Sequence, residues 1–217
     1  MTDPQLFRMG HHRLPAVLRV PQYPKGLVVF AHGSGSGHRS PRNNQVAESL
    51  TAVGFAILLF DLLTFEEERD RTNVFDIGLL SDRLVAAMIE IGLNPGLARL
   101  PIGLFGASTG GGAALRAASQ RPDLVRAVVS RGGRPDLAGR EALESVACPT
   151  LLILGANDRH VIELNRAAAS LLHCPHEIVL VPGAGHLFEE PGAMMQVIGH
   201  AIRWFETYLP AKQETVV

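Results

Sequence analysis

Three short stretches of this 217-residue chain carry the residue types of acyl-group chemistry. Gly106-Ala107-Ser108-Thr109-Gly110 follows an apolar run and precedes a stretch with helical spacing. A serine at such a strand-to-helix turn projects its hydroxyl from the end of a sheet, and small flanking residues let strand and helix approach. Gly155-Ala156-Asn157-Asp158 ends another apolar run in a carboxylate, and Pro182-Gly183-Ala184-Gly185-His186 ends a third in an imidazole. A serine hydroxyl is a poor nucleophile until a neutral imidazole accepts its proton, and a carboxylate holds the right tautomer and steadies the imidazolium. The pattern predicts Ser108 as nucleophile, His186 as general base and Asp158 as orienting acid. Asp136 is the alternative acid, and an aspartate placed like Asp158 otherwise serves as an Asx turn or a helix N-cap.

Two further features bear on the same chemistry. The Thr109 backbone N–H, at the start of the helix after Ser108, faces the place where a tetrahedral oxyanion forms, and the helix dipole adds to it. His32-Gly33-Ser34-Gly35-Ser36-Gly37 follows an apolar run and is expected to bring a second N–H, from Ser34 or its neighbour. As a phosphate cradle this run fails: it lacks the Lys-Ser/Thr of a P-loop, and the G-x-G-x-x-G spacing breaks at His38. Arg131, Arg134, Arg39 and Arg42 are candidates to hold an anionic substrate group, Arg131 and Arg39 foremost, each weighed against a solvated loop charge.

These residues need a scaffold, and the chain alternates apolar runs with helical spacing as a parallel sheet under helices does. The runs are 27–31, 55–60, 102–105, 125–130, 150–154 and 176–181, each apolar enough to be buried on both faces. Helices are expected over 45–53, 81–91, 111–119, 161–172 and 191–208, with an antiparallel edge strand at 14–20 and a fraying end over 211–217. One domain over residues 1–217, with its core at about 25–208, is the expected organisation. The charged stretch Thr64 to Ile77 reads as a loop, and its Glu66, Glu67, Glu68, Arg69, Asp70 and Arg71 make it a poor wall for a fatty chain.

Composition narrows the partners. With 47% hydrophobic residues a core forms without disulfide or metal, and 20 basic against 21 acidic residues leave no basic face for nucleic acid or a membrane surface. A small-molecule ester is the expected partner, with no nucleic acid and no membrane. Cys148 and Cys174 read as reduced core thiols, and Met1 to Arg13 lacks an apolar signal region, so a cytoplasmic protein is expected. His11-His12 and His173-Cys174-Pro175-His176 do not place three ligands on a rigid scaffold, so no metal is expected.

In its H-G-S-G-S-G, G-A-S-T-G-G-G, G-A-N-D and G-A-G-H segments, over about residues 25–208, the sequence resembles the α/β-hydrolase superfamily, most of all its dienelactone-hydrolase-related esterases. The resemblance implies a single-domain α/β-hydrolase fold, with about seven or eight mostly parallel strands, helices on both faces, an acyl-enzyme mechanism and no cofactor. Dienelactone hydrolases proper carry a cysteine where Ser108 stands. Many relatives insert a helical cap after the strand ending here at Ser130; about 19 residues separate it from Thr150, too few for a cap domain. The expected activity is hydrolysis of small carboxylic esters, with a thioesterase, an acyltransferase or a non-catalytic binding module of the same fold as alternatives.

Overall fold

In a computed structural model of the protein, which describes residues 3–209, the apolar runs become the strands of one eight-stranded sheet. The strands are β1 (Gln5–Met9), β2 (Leu14–Arg19), β3 (Gly26–Ala31), β4 (Phe55–Phe60), β5 (Ile102–Ala107), β6 (Val125–Arg131), β7 (Thr150–Gly155) and β8 (His176–Val181). Their order is β1-β2-β4-β3-β5-β6-β7-β8, parallel from β4 to β8, with β2 antiparallel to β4 and β1 antiparallel to β2. Every residue of β3, β4, β5 and β7 is buried, because helices cover both faces, whereas β8, expected to be buried like them, is the edge strand and buries only Val181.

The helices are α1 (Pro41–Ala52), α2 (Phe65–Glu68), α3 (Arg71–Phe75), α4 (Ile77–Gly92), α5 (Thr109–Gln120), α6 (Arg140–Ser145), α7 (Arg159–Ala169) and α8 (Ala193–Tyr208). Val46 and Leu50 of α1 and Val197 and Phe205 of α8 fill one face against Val28, Phe30, Phe105 and Val129. Leu84 and Met88 of α4, Ala114 and Leu115 of α5 and Leu143 of α6 fill the other against Val29, Leu104 and Val128. Burial of such side chains is worth about 1.5–3 kcal/mol each and is the main force holding the layers together.

Several expectations need correction. The strand at Leu14–Arg19 is not the edge, because Gln5–Met9 folds back beside it through the turn at Gly10 and Arg13, both with positive φ. Helix α1 starts at Pro41, four residues earlier than its apolar spacing indicates. Ser40 accepts from the Asn43 N–H, and proline fits a first helical position. The charged stretch after Thr64 is not a loop. It folds into α2 and α3, with Thr64 and Glu67 forming a reciprocal capping box and Glu67 Oε1 accepting from Arg83 Nη2 at 2.7 Å. The expected fraying over 211–217 lies outside the described residues. As expected, the β6–β7 connection holds no cap, only a 3₁₀ turn (Pro135–Ala138) and α6.

Helix α5 presses directly on the end of β3. A Cβ on Gly110 would land on the Ala31 carbonyl oxygen, and backbone cannot yield as a flexible side chain does. Gly92, in the last turn of α4, faces open space. In thermal denaturation Gly110→Ala is expected to cost about 1–3 kcal/mol and lower Tm by at least about 3 °C, whereas Gly92→Ala should hold or raise it. Equal effects would mean that α5 and β3 do not make this contact.

Candidate active site

The C-terminal ends of β5, β7 and β8 bring the three expected residues together. Ser108 sits between β5 and α5 with φ 51° and ψ −122°, a left-handed conformation that a side-chain-bearing residue adopts only when its surroundings impose it. Its N–H donates to the Arg131 carbonyl at 3.2 Å, and its own carbonyl accepts from Gly111 and Arg134 at 2.9 and 3.0 Å. His186 Nε2 stands 3.4 Å from Ser108 Oγ, long for a hydrogen bond but common in resting sites that tighten around substrate. His186 Nδ1 is 2.7 Å from Asp158 Oδ2. A carboxylate can only accept, so Nδ1 carries the proton and Nε2 is left free to take one from Ser108.

Asp158 occupies the N-cap position of α7, yet its side chain makes no capping bond; it is spent on His186. Asp136 is held elsewhere, accepting from Arg134 Nε and Nη2 at 2.9 and 2.7 Å. That bidentate pair sets aside Asp136 as an alternative acid and Arg134 as a free anion holder.

The glycine run after β3 lies against the nucleophile. A Cβ on Gly33 would stand 3.0 Å from both the Ala107 carbonyl oxygen and Ser108 Cβ, so the backbone at Gly33 lies tight against the turn that carries the nucleophile. Gly33, Ser34 and Thr109 line one small cavity of about 10 Å³ with Leu63, Val74 and Leu80, and Glu68 at its side. This space holds little more than one water. Arg39, exposed, and Arg42 line a second cavity of about 430 Å³ with Ser34, Ser36, His38 and Asp61; Arg42 also donates to Glu189 Oε1 at 2.7 Å. Arg131 is not a solvated loop charge: it is 8% exposed. A larger cavity of about 980 Å³, lined by Leu27, Leu97, Ile102 and Arg126, opens at the opposite end of the strands, away from these groups.

Two positioning residues escape a reading of the sequence alone. His32 is buried; its Nδ1–H donates to the Gly33 carbonyl at 3.0 Å and its Nε2 accepts from the Leu62 N–H at 2.9 Å. The ring thereby ties the end of β3 to the end of β4. Burial pulls its pKa down and outweighs the opposing hydrogen bond, which favours the neutral ring these contacts require. Asp61 then holds the loop's far end, accepting from the His38 N–H at 2.7 Å and from His38 Nδ1 at 2.9 Å. The available signal was that His32 and Asp61 directly end two neighbouring buried strands.

With this geometry in view, the class is defined: residues 24–196 match the "Alpha/beta hydrolase domain" family, and the chain belongs to it. Within that family it is similar to dienelactone hydrolase from Anabaena variabilis, with 51% identity and a TM-score of 0.91 over 96% of this chain and 100% of that one. The fold is shared with Est1E from Butyrivibrio proteoclasticus, at 15% identity and a TM-score of 0.79 over 95% and 98% of the two chains. Curated relatives from two Mycobacterium tuberculosis strains, provisionally named phosphoribosyl transferases, are 57% identical over 192 residues, 88% of this chain and 43% of theirs. The chain thus spans less than half the length of those relatives. No helix among the described residues is long and apolar enough to cross a membrane.

Cys148 and Cys174 take no part in the site. Both are buried at the start of β7 and just before β8, and burial, with the other thiol nearby, pushes the Cys148 thiol up to about 12. The thiolate is the reactive form, so at pH 8 neither cysteine of the native protein should react with a disulfide reagent within minutes, while both should do so in denaturant. Prompt reaction of the folded protein would show that this end of the sheet opens.

Proposed function

We propose that the protein is a serine esterase acting on small carboxylic esters through an acyl-enzyme. The observation that carries this reading is the connected chain Ser108 Oγ, His186 Nε2, His186 Nδ1, Asp158 Oδ2, whose spacings are 3.4 and 2.7 Å at its two contacts. Each group has a distinct duty in it. Ser108 Oγ attacks the ester carbon as its proton passes to His186 Nε2. The tetrahedral oxyanion lies towards the backbone N–H groups of Thr109 and Ser34, and the alcohol leaves with the proton from His186. Water then attacks the acyl-Ser108 carbonyl, giving its proton to His186, and the acid departs as Ser108 recovers its hydrogen.

Water is the acceptor that the surroundings favour, since the His186 side chain is 37% exposed and Ser34 and Gly35 are open to solvent. The cavity beside Thr109, lined by Leu63, Val74 and Leu80, is about 10 Å³ and holds little more than one water, so it supplies no apolar wall for a long acyl chain, which supports a short-chain preference. Two residues of the stretch from Thr64 to Ile77, Glu68 and Val74, line this cavity. The transferase name borne by the Mycobacterium tuberculosis relatives attaches to chains mostly outside the match, and the geometry here supports acyl chemistry.

Hydrolysis of p-nitrophenyl esters tests this reading. kcat/KM is expected to peak between acetyl and butyryl and to fall by octanoyl; a maximum at decanoyl or longer would overturn the small-ester assignment. Ser108→Ala should lower kcat on the order of 10⁶-fold with Tm preserved, and retention of a tenth of the activity would end the role of Ser108. Asp158→Asn should be less severe, about 10⁴-fold, because nucleophile and oxyanion donors remain. Asp136→Asn should cost little, and the reverse order would move the acid to Asp136.

A further inference from the structure

The molecule has a second concave surface, at the end of the sheet remote from Ser108. Helix α4 stops at Gly92, and residues 93–100 turn back to enter β5. Between these turns and the N-terminal ends of β3, β5 and β6 lies a groove of about 980 Å³. Its floor belongs to the core: Leu27, Met88, Ile91, Leu97 and Ile102 line it, and all five are buried. Leu93, 78% exposed, lines it too, although a side chain of that kind is ordinarily better placed out of water. A Cβ on Gly92, at the same end of α4, would meet nothing within 4 Å, so the space reaches the helix backbone.

The lining sets what the groove can hold. It contains no aromatic side chain, so a planar ligand finds no ring to stack on, whereas a flexible hydrocarbon chain matches the leucines, isoleucines and methionine. An extended peptide would need main-chain groups with which to pair. Here they are engaged: Leu93 N–H donates to the Glu90 carbonyl, Leu97 and Ala98 to Asn94, Leu100 to Leu97, and Leu27 to Pro101, at 2.9–3.0 Å. Asp123, the only carboxylate among the described lining residues, accepts from Arg121 Nε and Nη2 at 2.8 and 2.6 Å. Arg126, the second residue of β6, lines the groove, is exposed and meets no carboxylate among the described residues. The surface is therefore apolar along its floor and cationic at one place.

We propose that this groove binds one fatty acid molecule, with its hydrocarbon chain over Leu27, Ile91, Leu97 and Ile102 and its carboxylate on Arg126. A concave, mostly apolar surface of several hundred Å³ with one or a few polar groups is the usual form of a small-molecule site. The guanidinium meets a carboxylate through paired N–H groups, and the chain takes Leu93 and the floor out of water. The site is independent of the chemistry at Ser108, since the groove shares no lining residue with the cavities beside the nucleophile.

Calorimetry with octanoate, decanoate and dodecanoate, each below its micelle concentration, tests this. Dodecanoate should bind one to one, and each added pair of methylenes should tighten binding about fivefold or more. Dodecyltrimethylammonium, with the same chain and the opposite charge, should bind at least tenfold more weakly. Leu93→Asp and Arg126→Glu, both at exposed positions, should each weaken dodecanoate at least tenfold with Tm preserved. In methyl NMR spectra dodecanoate should move the signals of Ile91, Leu97 and Ile102 and leave those of Leu63 and Leu80, beside Thr109, in place. No saturable binding, equal affinity for the cation, unchanged affinity in both variants, or movement at Leu63 and Leu80 instead overturns the proposal. Adherence to vesicles of anionic phospholipid without one-to-one uptake of dodecanoate also overturns it, because the groove would then be a membrane contact.

Discussion

The arrangement depends on the backbone of one residue. Ser108 is held at φ 51°, a conformation that costs a non-glycine residue about 1–3 kcal/mol. It persists because the strand before it and the helix after it are locked in place. Helix α5 lies so close to β3 that Gly110 touches the Ala31 carbonyl, and the hydrogen bonds of Ser108 run to Arg131, Gly111 and Arg134. That turn sets Ser108 at the head of α5, and the leading N–H groups of a helix lack acceptors within it.

The rest of the sheet supplies the partners in register with that elbow. His186 and Asp158 come from the two strands beyond β6, and the glycine loop from β3 on the other side. The layers of the core do not select these residues; they set the level at which the strands end. What fixes orientation is a set of polar contacts in partly buried surroundings: Asp158 to His186, His32 between Gly33 and Leu62, Asp61 to His38. In such surroundings each is stronger than it would be in water.

Much of this was legible in the sequence where local pattern and tertiary environment agree. The buried parallel strands are continuous apolar runs and Ser108 ends one, while His186 follows β8, an apolar run at the edge of the sheet, so fold class and candidate site were read from the same signal. The choice between Asp158 and Asp136 was not local. Both follow strands at the same end of the sheet, and what separates them is the contact of Asp158 with His186, 28 residues away, while Asp136 is held by Arg134. Strand β1 was missed because Gln5-Leu6-Phe7-Arg8-Met9 is an edge strand with only Met9 buried, too mixed to show an apolar run. The stretch containing α2 and α3 was misread because its charges hide a capping box whose stability lies in Glu67 reaching Arg83 on α4. Arg131 resembled any loop cation; its burial at the end of β6 shows only in the fold.

The claim on which the account turns is that Ser108, activated through His186, is the nucleophile. The most direct measurement is labelling of the native protein with a fluorophosphonate, followed by proteolysis and mass mapping of the modified residue. The account predicts a single adduct, on Ser108, lost when the protein is denatured before labelling. An adduct on another residue, or no adduct in protein that is folded, would contradict it.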